Sequence, residues 1–144
     1  MKKINEVSGI VGVSKRTLQY YDDEGILPIE RAPNNHRVYD QQTLEQIWQI
    51  LIYKEMDFEL KEIKDLIKLP PEQKEIYFIR QKKKIENKII RMKVQLKFIS
   101  LAQCDKFPIR PEEYLEKTYR LYIEELKEKI KEEIMERAKE NEKE

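Results

Sequence analysis

Apolar residues recur at Ile4, Val7, Ile10 and Val11, the three-and-four spacing of one helical face, so residues 4–11 are predicted to form a short amphipathic helix. Gly12 and Val13 make a tight turn. Ser14 is a favoured N-cap and Gly25 a favoured stop, and together they bracket a second short helix. In that helix Leu18 and Tyr21 share an inward face, while Lys15, Arg16, Gln19 and Tyr20 point outward. Two short helices joined by so brief a turn form the helix-turn-helix pattern. The next stretch, ILPIERAPNNHRVYD, places two short extended segments, 26–29 and 37–39, around the turn signal Pro33-Asn34-Asn35. It reads as a small β-hairpin, a wing, carrying Arg31, His36 and Arg37. Asp40 can cap a longer helix with a buried stripe of Leu44, Ile47, Trp48, Leu51 and Met56, and with Lys54 near its far end. A further short helix covers about 60–68, where Leu60, Ile63, Leu66 and Ile67 are apolar, and it stops before Pro70-Pro71.

Beyond Pro71 the period changes. Phe78, Ile85, Met92 and Ile99 repeat every seven residues, and Ile89 and Leu96 fill the intervening positions. That is a coiled-coil seam on one long helix running to about Gln103. A single such helix leaves its stripe wet, so it needs a partner: a second copy, the chain's own C-terminal helix, or both. CDKFPIRP (104–111) breaks the helix, and Pro111 is placed to open the next one at its first position. There Tyr119, Tyr122, Leu126 and Ile130, with Ile123 and Ile134, form an apolar stripe, and the tail after Arg137 is polar and expected to fray. The expected organisation is therefore a winged helix-turn-helix domain over 1–70, a coiled-coil helix over 71–104, and a linker with a C-terminal helix over 105–144.

Composition supports a mainly α chain: of 144 residues 40 % are charged, with 3 Gly and 6 Pro. The formal net charge is only +1, but it is unevenly spread: −2 over residues 1–70, +7 over 71–110 and −4 over 111–144. No bulk basic character announces nucleic-acid binding, so that case rests on local motifs. The basic run RQKKKIENK (80–88) either lines DNA or, the favoured reading, is a solvated coil face opposite the acidic C-terminal helix. There is no apolar run near the ~20 residues of a membrane span and no apolar leader core, so no membrane is expected. The one cysteine, Cys104, excludes an internal disulfide and fits a reducing, cytoplasmic setting.

The second helix carries its bases first and its acids, Asp22 to Glu24, last. This opposes the helix dipole, which prefers acids at the N-terminus. Something outside the helix must want positive charge there. Recognition helices enter the major groove N-terminus first, with basic residues meeting phosphates and base edges. An enzyme is not expected: His36 is the only histidine, Cys104 has no histidine near it in sequence, and there is no glycine-rich phosphate loop. No calcium-loop spacing is present, and no metal or cofactor is expected. Cys104 is read as a small buried apolar residue.

Jointly, KINEVSGIVGVSKRTLQYYDDEGILP, NNHRVYD and LIYKEMDFELKEIKDLI resemble the MerR family of bacterial transcription regulators over about residues 1–70. The resemblance implies a winged helix-turn-helix DNA-binding domain, two further helices, and a homodimer joined by a long antiparallel coiled coil. It implies that such dimers bend and untwist double-stranded promoter DNA so that RNA polymerase can engage it, which makes the polymerase an indirect partner. Lys15, Arg16, Gln19, Tyr20, Tyr21, His36, Arg37, Tyr39 and Lys54 are the expected DNA-binding residues. Phe78, Ile85, Ile89, Met92, Leu96 and Ile99 are the expected dimerisation residues. The chain departs from the family pattern at Gln19, where arginine is usual, at Asn35-His36 in place of Gly-Tyr, and at Glu59, which looks a poor helix cap. Metal-sensing relatives carry paired cysteines just after the coil, where only Cys104 stands. Beyond residues 105–144 there is no room for a separate ligand domain, so an effector is expected between the coil, the C-terminal helix and the DNA-binding domain, and no residue identifies it. The rival expectation is a helical scaffold that keeps the fold without regulating a promoter.

Overall fold

A computed structural model of the chain describes residues 1–112 and 117–142. The chain divides into two compact units, Met1–Gln81 and Lys82–Glu144.

The first unit begins with a strand, β1 (Lys2–Lys3), which runs directly into α1 (Ile4–Val11). α1 ends where Gly12 turns left-handed at φ 73° and returns its N–H to the Ser8 carbonyl at 3.0 Å. The Ser8 hydroxyl donates to the Val13 carbonyl at 2.7 Å, which closes the turn. α2 (Lys15–Asp23) opens on Ser14, whose Oγ accepts the Thr17 N–H at 3.1 Å. Gly25, also at φ 73°, lets the chain leave. β2 (Val38–Tyr39) pairs antiparallel with β1, Lys2 opposite Tyr39 and Lys3 opposite Val38. Asp40 then caps α3 (Gln41–Glu55) by accepting the Thr43 N–H at 2.8 Å and the Thr43 hydroxyl at 2.7 Å. These bonds hold the Asp40 carboxyl below its ordinary pKa.

α3 stops in a Schellman turn. Asp57 is left-handed at φ 65°, and Phe58 N–H reaches back to the Tyr53 carbonyl at 3.2 Å. The two rings at that turn meet edge to face at 6.0 Å. α4 (Leu60–Lys68) corrects the expectation for Glu59, which forms a reciprocal capping box with Glu62 and is a working cap.

The core of this unit gathers Val7, Leu18, Tyr21, Tyr39, Ile47, Ile50, Ile63 and Leu66 with Ile26 and Leu27. Two expectations fail here. Trp48 is 62 % exposed and Met56 is on the surface, and the inward residues of α3 are Ile47, Ile50 and Tyr53. Residues 26–29 are not a strand, because α2 takes their backbone bonds: Leu27 N–H goes to the Tyr21 carbonyl at 3.0 Å and Ile29 N–H to Asp22 Oδ1 at 3.0 Å. The wing is instead closed by a bridge between Arg31 and Arg37, with Asn35 left-handed at φ 68° in its turn.

α5 (Pro71–Gln103) is continuous across the boundary between the units. Its first turns belong to the first unit. Lys74 Nζ donates to the Tyr53 hydroxyl at 3.2 Å, and Phe78 lies 6.3 Å from both the Tyr53 and Phe58 rings. The buried Gln81 donates from Nε2 to the Met56 carbonyl at 2.7 Å. Phe78, expected on the dimer seam, is half-buried here against the aromatic pair at the α3 turn.

In the second unit α5 ends in another Schellman turn, with Asp105 at φ 58° and Lys106 N–H bonded to the Leu101 carbonyl at 2.8 Å. Cys104 sits at this cap and is exposed, which corrects its expected burial. Pro111 opens no helix, and residues 113–116, over which that helix was expected to run, lie outside the described residues. α6 (Tyr119–Glu142) starts at Thr118, whose Oγ1 accepts the Leu121 N–H at 3.2 Å. Val94 of α5 and Ile130 of α6 are buried. A cleft of about 840 Å³ between the two helices is walled by Ile90, Val94 and Phe98 on one side. The basic Lys84, Lys88 and Arg91 share it with Glu124 and Glu128 of α6.

Candidate nucleic-acid interface

α2 is two-sided. Leu18 and Tyr21, each 1 % exposed, anchor it in the core. Lys15, Arg16, Gln19 and Tyr20 are exposed on its outer side. Lys15 and Arg16 occupy the first turn, where the free N–H groups of the helix already favour an anion. Arg16 and Tyr20 are four residues apart and therefore stacked on one face, so a single groove can meet both. Tyr21 is buried beside Leu18, as its place on the inward face predicts, so it leaves the DNA-facing set, and Tyr39, also 1 % exposed, leaves it too. Their hydroxyls are buried with no hydrogen-bond partner among the described residues. Burial is also what raises the Tyr39 pKa above its ordinary value, with Arg37 opposing.

The wing residues divide in the same way. His36 is exposed at the tip. Arg37 is not free: its Nε donates to Asp22 Oδ2 at 2.7 Å and its Nη2 to Asp23 Oδ1 at 3.2 Å. The bond to Asp22 is the main reason its guanidinium pKa lies above the usual value. Arg31 Nη1 donates to the Asn35 carbonyl at 3.0 Å and steadies the turn. Lys54, at the end of α3, is exposed. Asp22, an acid at the end of α2, is the residue that gathers these contacts, and the sequence does not name its partners. Its partners lie 7 and 15 residues away, beyond any local spacing rule.

The expected dimer seam falls in the second unit. Ile85, Ile89, Met92, Leu96 and Ile99 are all exposed, Met92 and Leu96 at 62 %. At about 100° per residue this row lies roughly opposite Ile90, Val94 and Phe98. α6 therefore covers the other face of α5 and leaves the heptad row open. Among the described residues no cluster of three or more His, Cys, Asp or Glu could hold a metal ion, and no helix is long and apolar enough to cross a membrane.

Comparison with known proteins converges on one family. Residues 2–69 match the model of the MerR HTH family regulatory protein. The HTH-type transcriptional activator TipA of Streptomyces coelicolor is 32 % identical over 117 residues, covering 78 % of this chain and 46 % of that protein. The chain thus spans about half the length of that curated relative. The crystal structure of MtaN, the N-terminus of the Bacillus subtilis multidrug transporter activator, is 32 % identical with a TM-score of 0.64, over 72 % of this chain and 98 % of that one. A MerR-family transcriptional regulator from Bacillus cereus shares the fold at a TM-score of 0.58 and 24 % identity, over 92 % of this chain and 98 % of that one.

Proposed function

Because the chain belongs to the MerR family of helix-turn-helix regulatory proteins, we propose that it is a sequence-specific DNA-binding transcription regulator acting as a homodimer in the bacterial cytoplasm. The observation that carries this reading is the build of α2. Two buried side chains fix the helix, and its bases stand free at the N-terminal end. Arg16 addresses a guanine edge or a phosphate, Tyr20 offers its hydroxyl to the backbone, and Lys15 and Lys54 neutralise phosphates. The wing tip at His36 meets the flanking backbone or minor groove.

The open row on α5 supports the dimer. Five large apolar side chains at heptad spacing, left bare by α6, call for a second copy of the same helix. A helix of 33 residues extends about 50 Å, enough to hold two reading heads one DNA turn, about 34 Å, apart. Binding on these terms distorts the promoter at an elastic cost of a few kcal/mol, and RNA polymerase responds to the altered DNA.

The test is selection of duplexes from a random-sequence library by the full chain, with sedimentation of the free protein. An enriched inverted repeat, bound with steep salt dependence by a dimer, is expected. Recovery of no preferred sequence would leave the fold without the regulator, the scaffold reading.

A further inference from the structure

The acids at the end of α2 have a task that the DNA-binding reading leaves unexplained. One carboxylate, Asp22, holds both legs of the wing. Its Oδ1 accepts the Ile29 N–H at 3.0 Å on the outgoing leg, and its Oδ2 accepts Arg37 Nε at 2.7 Å on the returning leg. Both charged side chains are withdrawn from solvent, Arg37 at 16 % and Asp22 at 14 % exposure. The guanidinium also reaches the more open Asp23 at 3.2 Å. One residue on from Arg37, Val38 donates to the Glu30 carbonyl at 3.1 Å and pairs with Lys3 of β1. The base of the wing is thereby tied to the reading helix on one side and to the N-terminal strand on the other. Only the tip, around His36, is left open.

We infer that Asp22 is a positioning residue for DNA recognition, and that Arg37 acts through it to set where the wing meets the DNA, instead of meeting a phosphate itself. This rests on the DNA-binding reading above. A guanidinium already engaged by two carboxylates carries no spare charge for a phosphate, and freeing it would break charge-assisted bonds that are partly shielded from water. The clamp fixes the wing relative to α2, so both can engage one duplex together. If the docked wing falls to about a tenth of the population, apparent affinity falls about tenfold, with no DNA contact removed.

The test uses the full chain on the duplex it selects. Asp22→Asn, Arg37→Gln and their double variant are compared with the parent by titration, salt slope and hydroxyl-radical footprinting, with melting curves as a folding control. Each single variant should bind about tenfold more weakly and the double no worse than the weaker single, because both break one clamp. Protection should fade at the flanks and persist at the centre of each half-site. The salt slope of Arg37→Gln should match the parent. Removing an acid near DNA should by charge alone tighten binding, so weaker binding by Asp22→Asn marks positioning. If Asp22→Asn does not fold, Asp23→Asn loosens only the exposed arm and should bind slightly more weakly, again at the flanks. Unchanged or tighter binding by the aspartate variant, or a slope in Arg37→Gln reduced by about one charge per subunit, overturns the inference alone. A parent that selects no duplex overturns the DNA-binding reading with it.

Discussion

Arg16→Ala and Leu18→Ala stand two positions apart on α2 and should fail in opposite ways. Leu18 is 1 % exposed among Val7, Tyr21 and the residues of α3 and α4 that form the core. Truncating a leucine at such a site removes its transfer free energy and leaves a cavity, about 3–4 kcal/mol. The compact unit of Met1–Gln81 is in the size range where ~1 kcal/mol moves the melting temperature by roughly 4–8 °C. Leu18→Ala should therefore melt at least about 12 °C below the parent. Arg16 is exposed and its loss should change stability by no more than about 0.5 kcal/mol. A bidentate base contact, however, carries ~1–3 kcal/mol of discrimination, so operator affinity should fall well over tenfold when both subunits lose it. The assay is a melting curve and an operator titration on each variant, the titration at a temperature where both are folded. An Arg16→Ala protein that binds operator as the parent does would mean that α2 is not the reading helix, whatever Leu18→Ala does to stability.

Other perturbations separate the remaining parts. Met92→Glu puts a carboxylate in the middle of the open heptad row, where a dimer would bury it unpaired at a cost of several kcal/mol. Monomers with little specific binding are expected, and sedimentation as an intact dimer at micromolar concentration would place the seam elsewhere. Cys104 is exposed at the α5 cap, so Cys104→Ser should leave melting temperature and operator affinity unchanged, and the native thiol should react at once with a maleimide. A thiol protected until denaturation would contradict that placement. The depressed pKa of Asp40 makes its cap most stabilising above the unfolded carboxylate pKa, about 4, and that contribution disappears as pH falls through the lower folded value. Melting temperatures of the parent and Asp40→Asn, followed from pH 6 to pH 2, should differ least at the acid end. A constant difference would show that the carboxylate charge plays no part.

Boundaries set by local chemistry were legible in the sequence. Ser14 and Asp40 accept the N–H bonds that their residue types promise, and Gly12 and Gly25 take the left-handed turns that glycine allows. α1, α4 and α5 run over the stretches that their apolar period marks. Where the pattern carried two answers, it misled. α3 holds apolar residues at 44, 47, 48, 50, 51, 52 and 53, with Met56 at its cap, and together they nearly encircle the helix, so period alone cannot choose between Trp48 and Tyr53 for the core. The choice was made by Phe58 and Phe78, whose rings meet Tyr53 from α3's terminal turn and from α5. The strand at Lys2–Lys3 had no signature either. Two lysines are an unpromising strand, and their pairing depends on Val38 and Tyr39, far along the chain.

For the candidate site the division falls between residue type and residue occupation. A sequence shows that Arg16 lies on the proposed reading helix and that Arg37 is an arginine of the wing, and by type both suit a phosphate. It does not show that Asp22 and Asp23 are brought to Arg37 by the fold while Arg16 is left exposed. For the tyrosines the period does decide: Tyr20 and Tyr21 are neighbours of identical chemistry, and the step of about 100° between them sends the first ring to the surface and the second to the core beside Leu18, as the inward face of the helix predicts. The bases at the start of α2 oppose the helix dipole and are left free for a phosphate. The acids at its end oppose the dipole too, and Asp22 and Asp23 are compensated by Arg37. Both ends of the helix are thus unfavourable when it is considered alone. One is resolved inside the domain by the wing, and on the proposed function the other is resolved by DNA.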